Sequence, residues 1–259
     1  MLKIDDSGGG RPDAPPILLL HGLTATRHYV VMGSRMLERG GHRVVAFDAR
    51  GHGESDPAPH YDYPSLADDV LRVLDDLGIE RAVLAGASMG AHTAARVAIE
   101  HPGRVAGLVA ITPAFLPDTT PNLVRWDSLA AGLRDGGVEG FVEAYGDPGV
   151  PDAWRETVVT VLRQRMARHE HPGAVADAIE QIPRSSPFAA DEDLAAIEAP
   201  SLVVADRDEA DPGHPLDVGE RWAALLGAEL IVEEPGKSPI AWSGGQLSRL
   251  IGDMAERAS

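Results

Sequence analysis

The amino-acid sequence predicts an α/β fold in which a mostly parallel, doubly wound sheet carries an inserted helical cap. Short apolar runs alternate with longer amphipathic stretches, which is typical of a parallel sheet covered by helices on both faces. This alternation stops between about residues 115 and 200, where only helical patterns occur. A glycine-bounded turn around Ser88 joins a predicted strand to a predicted helix.

The predicted strands are six short apolar runs, each typical of a strand buried on both faces. They cover residues 17–20, 44–47, 82–85, 108–111, 202–205 and 229–233. Residues 66–77 place apolar side chains on one helical face and charged ones on the other, and Gly78 ends that helix. A second helix, over residues 89–100, stops before Pro102.

The region between the fourth and fifth strands carries four helical patterns, over residues 122–134, 138–145, 152–168 and 174–182. A helical insertion of this length between two strands predicts a cap over the edge of the sheet, and helices on the periphery are the alternative. The predicted organisation is a core in two parts, residues 1–116 and 191–259, with the cap over residues 117–190.

Composition and charge narrow the classes of function. Hydrophobic residues make up 44% of the 259 residues, enough for a sizeable core. A formal net charge of -17 disfavours nucleic acid and anionic membranes as partners. The absence of cysteine excludes disulfides, thiolate metal sites and a cysteine nucleophile. No apolar leader or membrane-spanning run is visible, so we expect a cytoplasmic protein.

The residues around Ser88 form a nucleophile turn, Gly86-Ala87-Ser88-Met89-Gly90. The pattern Gly-x-Ser-x-Gly between a strand and a helix lifts the serine hydroxyl out of the sheet edge, and the glycines leave room where a Cβ would collide. The N-terminal amides of the following helix favour developing negative charge at the same place. Ser88 is therefore the candidate nucleophile.

Two further motifs flank this turn: His21-Gly22 after the first strand, and Asp48-Ala49-Arg50-Gly51-His52-Gly53-Glu54-Ser55 after the second. With the serine turn they resemble the α/β-hydrolase superfamily, in its small esterase, haloperoxidase and C–C hydrolase branch. The resemblance covers nearly the whole chain outside the cap, although residues 1–16 leave little room for the two strands with which the family usually opens. It implies an oxyanion hole from the backbone N–H groups of Leu23 and Met89, and loop-bracing roles for His21 and His52.

The resemblance also implies a catalytic acid after the strand over residues 202–205, in the pattern Asp-x-x-x-Pro. Asp208 followed by Pro212 fits this pattern. Asp206 comes two residues early and Asp211 lies further along the loop, and both stay as alternatives.

The base is not where the family places it. In Pro235-Gly236-Lys237-Ser238-Pro239 the usual histidine position holds Pro239, and no histidine follows His214. A serine without a base is a poor nucleophile, so three explanations stay open. A surrogate base is supplied by His214 or by the cap residues His169 or His171, whereas His92 would point away from the substrate. Otherwise the fold performs chemistry without a serine–histidine relay, with Asp208 as base, or it only binds a ligand.

The leading hypothesis is a hydrolase of a small, mostly apolar carboxylic ester, lactone or related acyl substrate, with no cofactor and no metal. A non-hydrolytic catalyst or ligand-binding protein on the same scaffold is the alternative, and a perhydrolase or haloperoxidase activity is a third. We expect a small-molecule substrate as the partner, and a homodimer stays open. The candidate lining residues of an apolar pocket are Leu23, Met89, Phe115, Leu116, Trp126, Phe141, Tyr145, Trp154, Phe188 and Trp242.

Overall fold

The computed structural model describes residues 1–235 and 242–258, which contain a seven-stranded sheet in the order β1-β3-β2-β4-β5-β6-β7. The strands are β1 (Ile4–Asp6), β2 (Ile17–Leu20), β3 (Val44–Phe47), β4 (Ala82–Ala87), β5 (Val105–Ile111), β6 (Ser201–Ala205) and β7 (Glu229–Val232). Every neighbouring pair is parallel except β1 with β3. The predicted mostly parallel α/β sheet is confirmed.

The strand β1 was not among the predicted strands. It pairs antiparallel with β3, Ile4 opposite Phe47. Its three residues are partly or fully exposed, so they lack the apolar run that marks the other strands.

Helices cover both faces of the sheet. They are α1 (Met36–Arg39), α2 (Tyr63–Asp76), α3 (Met89–Glu100), α4 (Leu123–Tyr145), α5 (Asp152–Met166), α6 (Pro172–Gln181), α7 (Asp191–Ala195), α8 (Leu216–Leu226) and α9 (Gly244–Arg257). Successive strand residues alternate between the faces. Leu18 and Leu84 pack against α2, α3 and α8, whereas Ile17 and Val83 pack against α1 and α9. Within the described ranges, no helix is both long and apolar enough to cross a membrane.

Helices α4, α5 and α6 lie between β5 and β6 in the chain, where the sequence predicted a helical insertion. Gly137 breaks α4 with φ of 61°, and the chain folds back so closely that a Cβ on Gly132 would lie 2.4 Å from the Gly140 carbonyl oxygen. The buried face of this insertion shares an apolar cluster with Leu23 and Met89. These helices therefore pack beside the serine turn, while the boundaries at 117 and 190 stay a prediction.

Candidate active site

The serine turn joins β4 to α3 in a strained backbone conformation. Ser88 has φ of 51° and ψ of -115°, a region that residues with a side chain rarely adopt. A Cβ on Gly86 would lie 2.2 Å from the Gly90 carbonyl, and a Cβ on Gly90 would lie 2.1 Å from the Leu20 carbonyl oxygen. Only glycine fits at either position, because the atoms in the way belong to the backbone.

The loop after β2 lies directly against this turn. A Cβ on Gly22 would be 3.5 Å from the Ser88 Cβ. The Gly22 carbonyl oxygen accepts hydrogen bonds from the Ala25 N–H, at 2.9 Å, and from the His21 ring, at 2.8 Å. Because a trans peptide directs its N–H opposite to its carbonyl, these bonds also fix the direction of the Leu23 N–H.

The Met89 N–H is oriented in the same way. The Ser88 carbonyl oxygen accepts the first hydrogen bond of α3, from the His92 N–H at 3.0 Å, so the Met89 N–H points toward the open end of the helix. That Leu23 and Met89 form an oxyanion hole stays a prediction.

A histidine from a distant part of the chain contacts the serine hydroxyl. His214 Nε2 lies 2.9 Å from Ser88 Oγ, across a sequence separation of 126 residues. His214 stands on the loop between β6 and α8, which starts at the carboxyl end of a strand beside β5. His214 is the first of the surrogate bases that the sequence predicts.

The carboxylate beside this histidine is Asp211, not Asp208. Asp211 Oδ2 lies 2.7 Å from His214 Nδ1. A tight turn produces this contact, because the His214 N–H donates to the Asp211 carbonyl oxygen at 3.1 Å and the Gly213 N–H donates to Asp211 Oδ1 at 3.1 Å. We name this arrangement the Ser88–His214–Asp211 chain.

Asp208, the acid that the sequence pattern favoured, contacts a different group, so its role as the acid stays a prediction that these contacts do not support. Its side chain is exposed, and Oδ1 accepts a hydrogen bond from the Leu216 N–H, the first residue of α8, at 2.8 Å. Asp208 thus satisfies a free amide at a helix start, where a carboxylate is favourable. The signal for Asp211 was the short turn Asp211-Pro212-Gly213-His214, which brings acid and histidine together within three residues.

Within the Ser88–His214–Asp211 chain, His214 and Asp211 each shift the pKa of the other toward its charged form. Burial disfavours the charged form of His214, but the charge and hydrogen bond of Asp211, together with the charge of Asp206, raise the pKa of His214 above its ordinary value. Burial likewise favours the neutral acid at Asp211, yet the hydrogen bond and charge of His214 lower its pKa. Because an ionised carboxylate only accepts, Nδ1 carries a proton, and in the neutral ring Nε2 is the acceptor that faces Ser88 Oγ.

A third acid, Asp206, lies buried beside the Ser88–His214–Asp211 chain. Burial and then the Asp211 charge raise the pKa of Asp206 to about 7. Its Oδ1 has no hydrogen-bond partner among the described residues. Asp206 therefore lacks the hydrogen bond to His214 that Asp211 makes.

The other candidate bases are held in contacts away from the serine hydroxyl. His92 Nε2 accepts from the Ala114 N–H at 2.9 Å and its Nδ1 lies 2.8 Å from the Tyr63 hydroxyl. Burial lowers the pKa of His92 to about 3. This ring is a neutral core group, and its contacts point away from the serine hydroxyl, the direction that its place on α3 predicts.

His169 connects the helical insertion to the loops of the core. His169 Nδ1 accepts from the Gly53 N–H at 2.9 Å, and Nε2 lies 3.3 Å from the Thr24 carbonyl oxygen. Burial lowers its pKa to about 3. His171 is partly exposed at the start of α6. The structure brings neither of these two side chains into a hydrogen bond with Ser88.

The two motif histidines brace the loops around the serine. His21 Nε2 accepts from the Ala49 N–H at 2.9 Å, so its Nδ1–H donates to Gly22. Both ring nitrogens of His52 lie on backbone carbonyls, those of Arg50 and Leu23. Burial lowers the pKa of each, to about 3 for His21. Their contacts agree with the structural role that the resemblance implied.

The loop after β3 is held by a buried ion pair. Asp48 accepts from the Arg27 N–H at 2.7 Å and also pairs with the Arg27 guanidinium. Gly53 has φ of 52° and passes so close to Asp48 that a Cβ would collide with its carboxylate. This motif therefore acts as a scaffold that positions the loop carrying His52.

Nine of the ten predicted pocket residues separate into three apolar clusters of the described residues, and Trp154 is not a member of any of the three. Phe115 and Phe188 pack edge to face with ring centroids 5.0 Å apart, in the core beside Leu116 and α3. Phe141, Trp126 and Tyr145 pack in the cluster that contains Leu23 and Met89. Trp242 packs on the opposite face of the sheet. Of the predicted lining residues, those that pack between the insertion and the serine turn are therefore the best placed to line a pocket next to Ser88.

Two further expectations concern Pro239 and the binding of a metal ion. Pro239, the residue at the usual histidine position, lies outside the described residues. Over residues 1–235 and 242–258, no group of three or more His, Asp or Glu side chains is arranged to hold a metal ion.

Sequence reasoning gave no role to Arg165 in α5. Its guanidinium Nε is buried without a hydrogen-bond partner, and its charge acts on both Asp211 and His214. No sequence signal distinguishes Arg165, because α5 carries other charged residues at exposed positions and Arg165 resembles them in the sequence.

Comparison with known proteins gives a family. A family model described as "alpha/beta hydrolase fold" matches residues 15–198. The AB hydrolase superfamily protein YisY of Bacillus subtilis (strain 168) is 39% identical over 146 residues, 56% of this chain and 51% of that protein, so the match spans about half of that relative's length. The putative carbamate hydrolase RutD of Variovorax paradoxus (strain S110) is 31% identical over 204 residues, 78% of this chain and 76% of that protein.

Solved structures agree with this assignment. The structure titled "Est816 as an N-Acyl homoserine lactone degrading enzyme" is 26% identical, with a TM-score of 0.70, and the match covers 99% of this chain and 95% of that chain. The family model spans most of the chain, from the loop before β2 to the residues before β6. Sheet order, serine turn and matched relatives agree, and the chain belongs to the alpha/beta hydrolase fold family.

Proposed function

We propose that this protein hydrolyses a small carboxylic ester, lactone or related acyl substrate, with Ser88 as nucleophile, His214 as general base and Asp211 as the acid that orients the base. The observation that carries the proposal is the 2.9 Å contact between His214 Nε2 and Ser88 Oγ. A hydroxyl within hydrogen-bond reach of an imidazole, itself held by a carboxylate, is the arrangement that activates a serine.

The first half of the reaction is acyl transfer to the serine. Ser88 Oγ attacks the carbonyl carbon while its proton passes to His214 Nε2, and the carbonyl oxygen becomes an oxyanion. The N–H groups of Leu23 and Met89 stabilise that oxyanion, a contribution of about 10²–10³ in rate per donor. When the tetrahedral intermediate collapses, the bond to the leaving oxygen breaks, and that oxygen takes the proton from His214.

The second half returns the serine. A water molecule attacks the acyl carbon and gives its proton to His214 Nε2. The second intermediate collapses by breaking the bond to Ser88 Oγ, which takes the proton back. Asp211 stays ionised throughout and stabilises the imidazolium that forms twice.

This assignment removes the need for a base on the loop after β7, where the sequence has Pro239. Acid and base both come from the β6–α8 loop, and the chain order of serine, acid and histidine is kept. The strained φ of Ser88 and the raised pKa of His214 support the same reading, because perturbed groups cluster at functional sites.

The descriptions of similar proteins point to the same class of bond. One relative is described as a putative carbamate hydrolase and one structure as an N-acyl homoserine lactone degrading enzyme. Both descriptions concern a carbonyl carbon bonded to oxygen or nitrogen, the group that a serine nucleophile attacks. We therefore extend acyl hydrolysis, and no particular substrate, to this chain.

The test is covalent labelling by a fluorophosphonate, followed by intact-mass spectrometry. We expect the wild type to gain one adduct within minutes, Ser88→Ala to gain none, and His214→Gln to react at least about 100-fold more slowly, because the base is lost. His60→Gln is the matched control, since His60 is exposed and its side chain makes no contact with the serine turn. Labelling of His214→Gln at the wild-type rate would remove His214 from the proposal. An unlabelled wild type would favour the ligand-binding alternative.

A further inference from the structure

Arg165, in the last turn of α5, has a guanidinium without a partner. Its Nε is buried and unpaired, and its side chain makes no hydrogen bond or ion pair with the part of the chain that the structure describes. The neighbouring Arg163 instead makes a two-pronged pair with Glu139, at 2.6 and 2.9 Å. Arg155, at the start of the same helix, pairs with Asp152 at 2.8 Å.

The helix turns Arg165 toward the core. Leu162 and Met166, three residues before it and one after it, are buried in the cluster that contains Leu23 and Met89. Residues three and four apart share a helical face, so Arg165 lies on the flank of this buried face. One turn further along, His169 is hydrogen-bonded to Gly53 and Thr24 and holds the segment against the core loops.

The charge of the Arg165 guanidinium acts on the Ser88–His214–Asp211 chain. Its charge contributes to the lowered pKa of Asp211 and opposes the raised pKa of His214. It nevertheless makes no ion pair with Asp211, whose carboxylate is already engaged by His214 and Gly213. The positive group therefore acts on the two ionisable members of that arrangement, while its Nε has no partner among the described residues.

Arg165 is half-buried, its enclosed Nε has no partner among the described residues, and a bound anion would offset the cost of that unpaired atom. Burial lowers the pKa of Arg165, although a guanidinium keeps its charge at neutral pH. Its planar fork matches the two oxygens of a carboxylate. A phosphate dianion suits the place less well, because the Asp211 carboxylate already acts on Arg165 and would repel a second negative charge.

We propose that Arg165 is a specificity-determining residue that binds a carboxylate carried by the substrate, so that the preferred substrates are acyl compounds with a second, ionised carboxyl group. This inference rests on the proposed function and refines it. It replaces the expectation of a mostly apolar substrate with one that has an apolar body and an anionic end.

The test compares esters that differ only in that end. The substrates are the monoethyl esters of succinate, glutarate and adipate, each against the ethyl ester of the monocarboxylic acid of equal chain length, with proton release as the signal. We expect wild type to prefer at least one of the anionic esters in kcat/KM. Arg165→Gln should lower kcat/KM for that ester by about 10- to 100-fold, mostly through KM, and change the neutral ester by less than about threefold.

Two further variants separate recognition from general effects. Arg155→Gln removes the same charge from an exposed position of the same helix, and we expect both esters to be hydrolysed at the wild-type rate. Arg165→Lys keeps the charge without the fork, so it should restore part of the preference. An equal loss for both esters in Arg165→Gln would overturn the inference, as would a wild type that hydrolyses neutral esters and shows no preference for any anionic one.

A binding measurement keeps this inference distinct from the proposed function. Calorimetry with glutarate, succinate or adipate on Ser88→Ala needs no turnover. Saturable binding that Arg165→Gln abolishes supports the carboxylate site even where every ester resists hydrolysis, a result that would count against the proposed function alone. Absence of binding by all three diacids would overturn the carboxylate site.

Discussion

Replacing Asp211 by asparagine, beside the parallel replacement of Asp208, separates the acid of the structure from the acid of the sequence pattern. In the structure Asp211 Oδ2 is 2.7 Å from His214 Nδ1, whereas Asp208 accepts a hydrogen bond from the start of α8. Asparagine has nearly the same shape as aspartate, so the change removes the charge and leaves the packing.

The magnitude follows from what the charge does. Asp211 orients the ring, and it raises the pKa of His214 despite burial. In a serine–histidine–aspartate arrangement this replacement lowers kcat by about 10⁴, and about 1.4 kcal/mol corresponds to each tenfold step. We therefore expect Asp211→Asn to lose about 10³- to 10⁴-fold in kcat, or about 4–5.5 kcal/mol of transition-state stabilisation.

The assay is steady-state hydrolysis of p-nitrophenyl acetate, with thermal unfolding as the check that each variant is folded. Asp208→Asn should keep kcat within about threefold of wild type, because its contact to Leu216 lies outside the Ser88–His214–Asp211 chain. Asp208→Ala should lose about 0.5–2 kcal/mol of stability with the helix-start contact. The reasoning is refuted by the opposite pattern, in which Asp208→Asn is inactive and Asp211→Asn is not.

Three further predictions concern pH, the serine turn and the buried acid. Because the base must be neutral and the pKa of His214 is raised from 6.5, kcat/KM should rise with pH through a midpoint above 6.5, and a flat profile between pH 6 and 8 would contradict this. Gly90→Ala should cost at least about 2–3 kcal/mol in urea unfolding, since its Cβ would meet the Leu20 backbone, whereas Gly173→Ala, with nothing within 4 Å, should be within about 0.5 kcal/mol of wild type. Asp206 has a folded-state pKa of about 7 against 3.8 unfolded, so the folded state binds its proton more tightly and loses stability as pH rises from about 4 to 7. Asp206→Asn should therefore stabilise the protein more at pH 8 than at pH 4, and equal effects at both pH values would refute this assignment.

Much of the fold was predictable because its signals are local. The runs that became β2 to β7 are recognisable from their apolar character, and the glycines of the serine turn are required by collisions within a few residues. The four helical patterns between β5 and β6 also follow from spacing along a single helix face. The strand β1 was missed because its pairing with β3 leaves no apolar trace in three exposed residues.

The candidate site was predictable only in part. The positions of Ser88, His21 and His52 were predictable, because these residues belong to short motifs that follow directly on strands. Asp208 was preferred over Asp211 because the spacing pattern assumes the usual course of the loop. Here a turn through Pro212 and Gly213 presents Asp211 instead, and Asp208 is left to the start of α8.

The sequence by itself determined the elements, their order and the position of a strained serine, since each depends on neighbours within one turn of helix or one strand. Only the tertiary structure decided which histidine reaches that serine, which acid holds the histidine, and that the charge of Arg165 acts on both of them. Those contacts join residues up to 126 positions apart, and they depend on where the sheet edge and the helical insertion bring separate loops together.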